Sequence, residues 1–183
     1  VYVSLFVRVL PVKHQRADRV TAVDSVDRLR AQWHEQVPGL DVAPIAVAGR
    51  ITRIAALLAA QAEAALADEG LTRGEFDVLT ALRRAGRALR ASEVSTLTAA
   101  SGAAITKRAD ALVRAGLVAR GIPHRDRRGV LLELTEQGRA AVDRLMPEHL
   151  AREARVLEGL DADDAERLAQ LLSRVLVRVE GGA

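Results

Sequence analysis

HRDRRGVLLELT, residues 124–135, changes character halfway. Arg125, Arg127 and Arg128 crowd around Asp126, and then alternating branched and leucine residues take over, ending in Thr135. A period of two marks a strand buried on one side. LVARGI, residues 117–122, reads the same way. The two strands therefore form a hairpin whose tip, residues 123–129, is long and basic.

Working outward, SGAAITKRADALVRAG (residues 101–116) is predicted as a helix, with Ser101 capping its start and Gly116 closing its end. At about 100° per residue, Ile105, Ala109 and Leu112 fall on one side. Ala103, Thr106, Lys107, Asp110 and Arg114 fall on the other. Upstream, ASEVSTLTAA (residues 91–100) is a short helix with Ser92 as candidate N-cap. LTRGEFDVLTALRRAG (residues 71–86) is a longer one, with a Thr72–Glu75 capping box and Gly86 as its stop. Two short helices joined by a tight turn, the second amphipathic, read as helix-turn-helix.

Chemistry follows from that placement. Ser101, Gly102, Ala103, Thr106 and Lys107 are the candidate DNA contacts on the second helix. Small residues let the backbone approach a duplex, hydroxyls bond phosphate or base edges, and a helix N-terminus favours phosphate. An ordinary solvated helix face would look similar. The hairpin tip separates the two readings: Arg125, Arg127 and Arg128 can enter a minor groove or clamp phosphates while the helix occupies the major groove. Asp126 is expected to pin one of them by a salt bridge. A solvated charged turn is the alternative for the tip alone.

The flanks read as helices. Residues 1–19 show no clean period and are expected to be a loose, disordered leader. An extra helix is predicted over 20–37, with Val23, Val26, Leu29 and Trp33 as its stripe. VPGLDVAP (residues 37–44) breaks it. A second helix is predicted over 44–68, rich in small residues. Thr135 caps a helix that Pro147 is expected to interrupt and kink. Asp161 caps a last helix with Leu168, Leu171, Leu172, Val175 and Val179 on one face. The organisation expected is 20–70 N-terminal helices, 71–135 winged helix-turn-helix domain and 136–183 C-terminal helices. The fold class is mainly α with a small β-hairpin wing.

Composition excludes several functions. The chain has 183 residues, no cysteine and four aromatics: Tyr2, Phe6, Trp33 and Phe76. Disulfides, thiolate nucleophiles and Cys-ligated zinc are excluded. The net charge of +3 is uneven: residues 71–135 hold 12 basic and 6 acidic side chains, whereas 136–183 hold 7 and 10. A basic centre between neutral or acidic arms suits a polyanion-binding module. His14, His34, His124 and His149 are scattered, as surface histidines are, with no metal-binding spacing. No catalytic constellation, metal site or cofactor is expected, so the chain is not read as an enzyme. No apolar run is read as reaching the roughly 20 residues of a membrane span. The opening VYVSLFVRVLP is not read as a signal peptide. A cytoplasmic location with no membrane partner is expected.

The order of these helices and the D-x-R-G-V-x-L-x-L-T wing, residues 126–135, resemble the MarR family of bacterial transcriptional regulators over residues 44–180. The resemblance implies a winged-helix homodimer whose terminal helices interdigitate. It also implies binding to a pseudo-palindromic double-stranded operator, usually as a repressor released by a small ligand. On that basis residues 44–68 and 136–183 are dimerisation helices.

Two positions then acquire a second meaning. Arg108 lies about 60° from Ile105, at the edge of the inward face, and a charge there wants a partner; Asp77 is the candidate. The urate-responsive branch of the family is similar in three respects: an added N-terminal helix with a Trp (here Trp33), an Asp in E-[FW]-D-V-L (here Asp77), and an Arg in the recognition helix (here Arg108). The resemblance implies that Trp33, Asp77 and Arg108 bind a small anionic aromatic ligand such as urate or a phenolic acid. The branch also carries an Asn where this chain has Ala85. A different aromatic acid, or no ligand, stays open, as do core packing for Trp33 and a structural Asp77–Arg108 ion pair. The alternative class is a winged helix used for protein–protein contact, which needs no basic tip.

Overall fold

The structure, a computed structural model, describes residues 23–121 and 130–182. It divides into two compact units, residues 1–46 and 47–183. The leader expected over 1–19 and most of the wing tip, including Arg125, Asp126, Arg127 and Arg128, lie outside the described residues.

In the first unit, α1 (Ser25–Gln36) starts on Asp24, whose carboxylate accepts from the N–H groups of Val26 and Asp27 at 2.8 and 2.9 Å. That satisfies two of the four donors a helix start leaves open. Asp41 makes a similar turn, accepting from Ala43 N–H at 2.9 Å. Val26 and Val42 are buried, while Leu29 and Trp33 are nearly half exposed.

The long helix α2 (Ile45–Ala67) leads into the second unit. It ends at Gly70, whose φ of +68° suits a residue without a Cβ. There follow α3 (Arg73–Ala85), β1 (Leu89–Arg90), α4 (Ala91–Thr98), α5 (Gly102–Arg114), β2 (Val118–Gly121), β3 (Leu131–Leu134), α6 (Glu136–Val156) and α7 (Ala162–Gly181). The Thr72–Glu75 capping box forms at the start of α3: Glu75 N–H donates to the Thr72 hydroxyl at 3.2 Å, and Thr72 N–H to the Glu75 carboxylate at 2.8 Å. Thr135 and Asp161 cap α6 and α7.

β3 is the middle strand of a three-stranded antiparallel sheet in the order β1-β3-β2. Leu132 faces Leu89 on one side and Arg120 on the other. Leu132 and Leu134 turn into the core, as their period of two predicts. There they join Phe76, Leu79, Ile105 and Leu112. With four aromatics in the chain, this core is aliphatic apart from Phe76.

Four expectations need correcting. β1 is two residues long and carries no periodic signal. Because it runs directly into α4, the N-cap is Arg90 rather than Ser92, and Arg90 N–H donates to the Glu93 carboxylate at 2.7 Å. α6 continues through Pro147. Its buried stripe, Gly138, Val142, Leu145 and His149, runs across the proline, so packing on both sides offsets the missing N–H donor. Finally, α2, at 23 residues, is long and apolar enough by length and composition to cross a membrane. Its alanines supply that character without forming an obvious apolar run.

Candidate DNA-binding surface

The recognition helix, α5, is set by a turn of three residues. Ala99 takes the left-handed conformation, φ +49°, which is strained for a residue with a Cβ. Two bonds across the turn hold it: Ala100 N–H donates to Ser95 O at 3.2 Å, and the Ser95 hydroxyl donates to Ala100 O at 2.5 Å. Ile105 and Leu112 are fully buried, which fixes the rotation of α5 about its axis.

That rotation leaves Ser101, Gly102, Ala103, Thr106 and Lys107 exposed together on its first turns. Ser101 Oγ accepts from Ala104 N–H at 3.3 Å, which leaves its hydroxyl proton available to donate. Thr106 donates to Gly102 O at 3.0 Å and retains only its acceptor capacity for a base edge. The first amides of α5 have no partners within the helix. With Lys107 beside them they make a cationic, donor-rich end suited to phosphate.

Wing and helix are tied together. Arg120 on β2 pairs with Asp110 on α5 at 2.6 Å, both about two-fifths exposed. The wheel reading put Asp110 on the outer face and gave it no role. Its partner is ten residues away in sequence, and only the hairpin brings the two together.

Asp77 and Arg108 do not pair. Asp77 accepts from Arg73 Nε at 2.8 Å, one turn away on the same helix. Arg108 is half-buried and lies over Gly74, where an added Cβ would stand 2.5 Å from Cζ. Gly74 lies one turn from Asp77 on α3, and Arg108 makes no ion pair with Asp77. Trp33 belongs to the first unit, on α1.

The body behind this surface is braced by paired charges. Arg83 holds Asp143 through two bonds of 2.7 and 3.1 Å, tying α3 to α6. Arg144 holds Glu69 through two of 2.8 and 2.5 Å. Arg87 holds Glu93 at 2.7 Å. The guanidinium bonds keep all three carboxyl groups below their ordinary pKa and raise the three arginines. His149 is not a surface residue: it is buried, edge-on to Phe76 with ring centroids 5.5 Å apart. Among the described residues, no three His, Asp or Glu side chains converge as a metal site would require.

An exposed helix start beside a tethered β-hairpin defines a winged-helix, DNA-binding protein. Residues 69–129 match the MarR family. The chain is 32% identical over 146 residues to the HTH-type transcriptional regulator PecS of Dickeya dadantii (strain 3937), covering 79% of this chain and 88% of that protein. Among solved structures, AbsC, a MarR family transcriptional regulator from Streptomyces coelicolor, matches with a TM-score of 0.68 at 27% identity, over 78% of this chain and 97% of that one. Bordetella bronchiseptica BpsR, whose DNA binding is regulated by 6-hydroxynicotinic acid, matches with a TM-score of 0.64 at 29% identity, over 70% and 97%. The chain belongs to the MarR family and is a transcriptional regulator, not an enzyme.

Proposed function

We propose that the protein is a homodimeric repressor that binds a pseudo-palindromic operator in the cytoplasm and releases it on binding a small anionic aromatic ligand. The exposed start of α5 carries the DNA part of this reading. Ser101, Gly102, Ala103, Thr106 and Lys107 would meet phosphates and base edges in the major groove. Arg125, Arg127 and Arg128, ordered by Asp126, would take the minor groove or the phosphates beside it.

The homodimer is supported by α7, which buries none of its residues although Leu168, Leu171, Leu172, Val175 and Val179 share a face. An apolar stripe of that length calls for a partner, and a second copy supplies the same stripe. The apolar helix α2 fits the same role, which leaves no need for a membrane.

The ligand response is supported by Arg108, whose guanidinium makes no ion pair among the described residues. It offers a planar, half-buried cation to a carboxylate or enolate. Asp77 nearby would repel the same anion, and that strain would turn α5 away from its half-site. The relative BpsR responds to an aromatic acid of this class. Trp33, the only tryptophan, serves as a fluorescent reporter.

Fluorescence anisotropy on a labelled duplex from upstream of the gene tests the reading, with excess competitor DNA and a salt titration. Tight, steeply salt-dependent binding relieved by 6-hydroxynicotinate or urate supports it in full. Binding indifferent to every aromatic acid tried leaves a regulator without such a ligand. Salt-insensitive binding, or none at any upstream site, favours a protein-interaction module.

A further inference from the structure

The joint between the end of the recognition helix and α6 is made of backbone and one threonine side chain. Just beyond α5, Gly116 reverses the chain with φ +72°, and two successive carbonyls, of Gly116 and Leu117, accept from Thr135 at the start of α6. The Thr135 hydroxyl donates to Gly116 O at 2.7 Å and accepts from Gly138 N–H at 3.0 Å. Thr135 N–H donates to Leu117 O at 3.1 Å. Gly138 lies so close beneath Leu117 that an added Cβ would collide with its carbonyl oxygen and stand 2.9 Å from its carbonyl carbon.

Most contacts between helices are cushioned by side chains, which change rotamer to absorb small displacements. This one has no cushion. A carbonyl rests on a glycine Cα, and one threonine bonds both sides. Beyond the joint, the Arg83–Asp143 pair fastens the first half of α6 to α3, and the Arg144–Glu69 pair fastens it to the turn before α3. α6 is a rod of about 30 Å, and a tilt of about 5° at its start would move its far end by about 3 Å. Its far end leads directly to α7 and the apolar stripe.

We infer that Thr135 and Gly138 are positioning residues that fix the angle between α6 and the recognition helix, and so set the half-site spacing the protein reads. This rests on the two-half-site reading above. Neither residue touches DNA. Each acts through the Gly116 and Leu117 carbonyls that follow α5.

The test uses the full chain and three variants. Thr135→Ser keeps both hydroxyl bonds. Thr135→Val keeps the shape and loses them. Gly138→Ala forces the joint apart. Each protein is titrated on a labelled duplex carrying the site selected by the wild type. It is also titrated on two versions with the spacer between half-sites lengthened or shortened by one base pair. Wild type and Thr135→Ser are expected to prefer the native spacer by about tenfold or more. Thr135→Val and Gly138→Ala are expected to lose most of that preference while keeping wild-type mass and a cooperative melt. A purely structural role would lower the melting temperature and leave the ratio between spacers unchanged, and that result overturns the inference. If Gly138→Ala does not fold, Thr135→Val decides alone. A wild type with no spacing preference overturns the two-half-site reading first, and this inference with it.

Discussion

The guanidinium of Arg108 occupies the space that a side chain at Gly74 would fill: a Cβ there would stand 2.7 Å from Nη2. The recognition helix thus lays its only arginine before Arg114 on a bare patch of α3, one turn from Asp77. Gly74→Ala is expected to be cheap for the fold, because the colliding atoms end a flexible side chain. Alanine also recovers about 0.5–1 kcal/mol of helix propensity. The melting temperature should hold or rise, while the arginine is displaced from the proposed ligand site: the concentration of 6-hydroxynicotinate needed for half-release should climb about tenfold or more. Arg108→Gln should do the same with DNA affinity largely kept. Unchanged release in both variants would remove Arg108 from the ligand site.

Lys107 and Ser101 sit on the same exposed end of α5 but should fail differently. Lys107→Ala removes the phosphate contact proposed for this side chain, so binding should weaken on all sequences alike and the salt slope should fall by about 1. Ser101→Ala also removes the helix cap, a stability loss of about 0.5–2 kcal/mol. It should lower the melting temperature as well as the affinity. Parallel salt titrations and thermal melts separate the two effects. An unaltered slope for Lys107→Ala would place the duplex elsewhere.

Acid should loosen the brace between α3 and α6. The Arg83 bonds hold the Asp143 carboxyl below its ordinary pKa, and Arg144 does the same for Glu69. A lowered folded-state pKa contributes stability that is fully present above the unfolded value. It fades as pH falls below the ordinary carboxylate range, about pH 4, towards the folded value. At neutral pH the brace is intact. Thermal melts of wild type and of the double variant Asp143→Asn, Glu69→Gln should converge as pH falls through that range. Curves that stay parallel would show that these exposed pairs contribute nothing measurable.

Much of this architecture was legible because local chemistry and tertiary placement agree. The Thr72–Glu75 box, the Ser101 and Thr135 caps, and the alternation of Leu132 and Leu134 each announce an element that the core then uses. Failures come where a residue's partner is set by the fold. Asp77 was expected to meet Arg108, but Arg73, one turn back, reaches it first. Ser92 looks like a cap, yet β1 brings the chain into α4 at Arg90. Pro147 looks like a break, yet burial of Leu145 and His149 carries the helix through. The close approach of Gly74 to Arg108, and of Gly138 to Leu117, leaves no trace in periodicity at all.

The apolar face of α7 yields the sharpest test of assembly. Leu172 is two-fifths exposed, between Leu168 and Val175 on the same stripe, although nothing polar on that stripe suggests contact with water. Covering a leucine fully contributes about 1.5–3 kcal/mol. In a two-fold interface each position counts twice. Leu172→Glu would instead bury two unpaired carboxylates, which the interface cannot tolerate. The core around Phe76, Ile105 and Leu132 lies apart from this stripe, so the variant should keep its helical signal. Sedimentation at micromolar concentration should find a monomer. Its affinity for a two-half-site duplex should collapse towards that for a single half-site, because the second contact is no longer intramolecular. A variant that sediments as a dimer would show that the recognition helices are paired through some other surface.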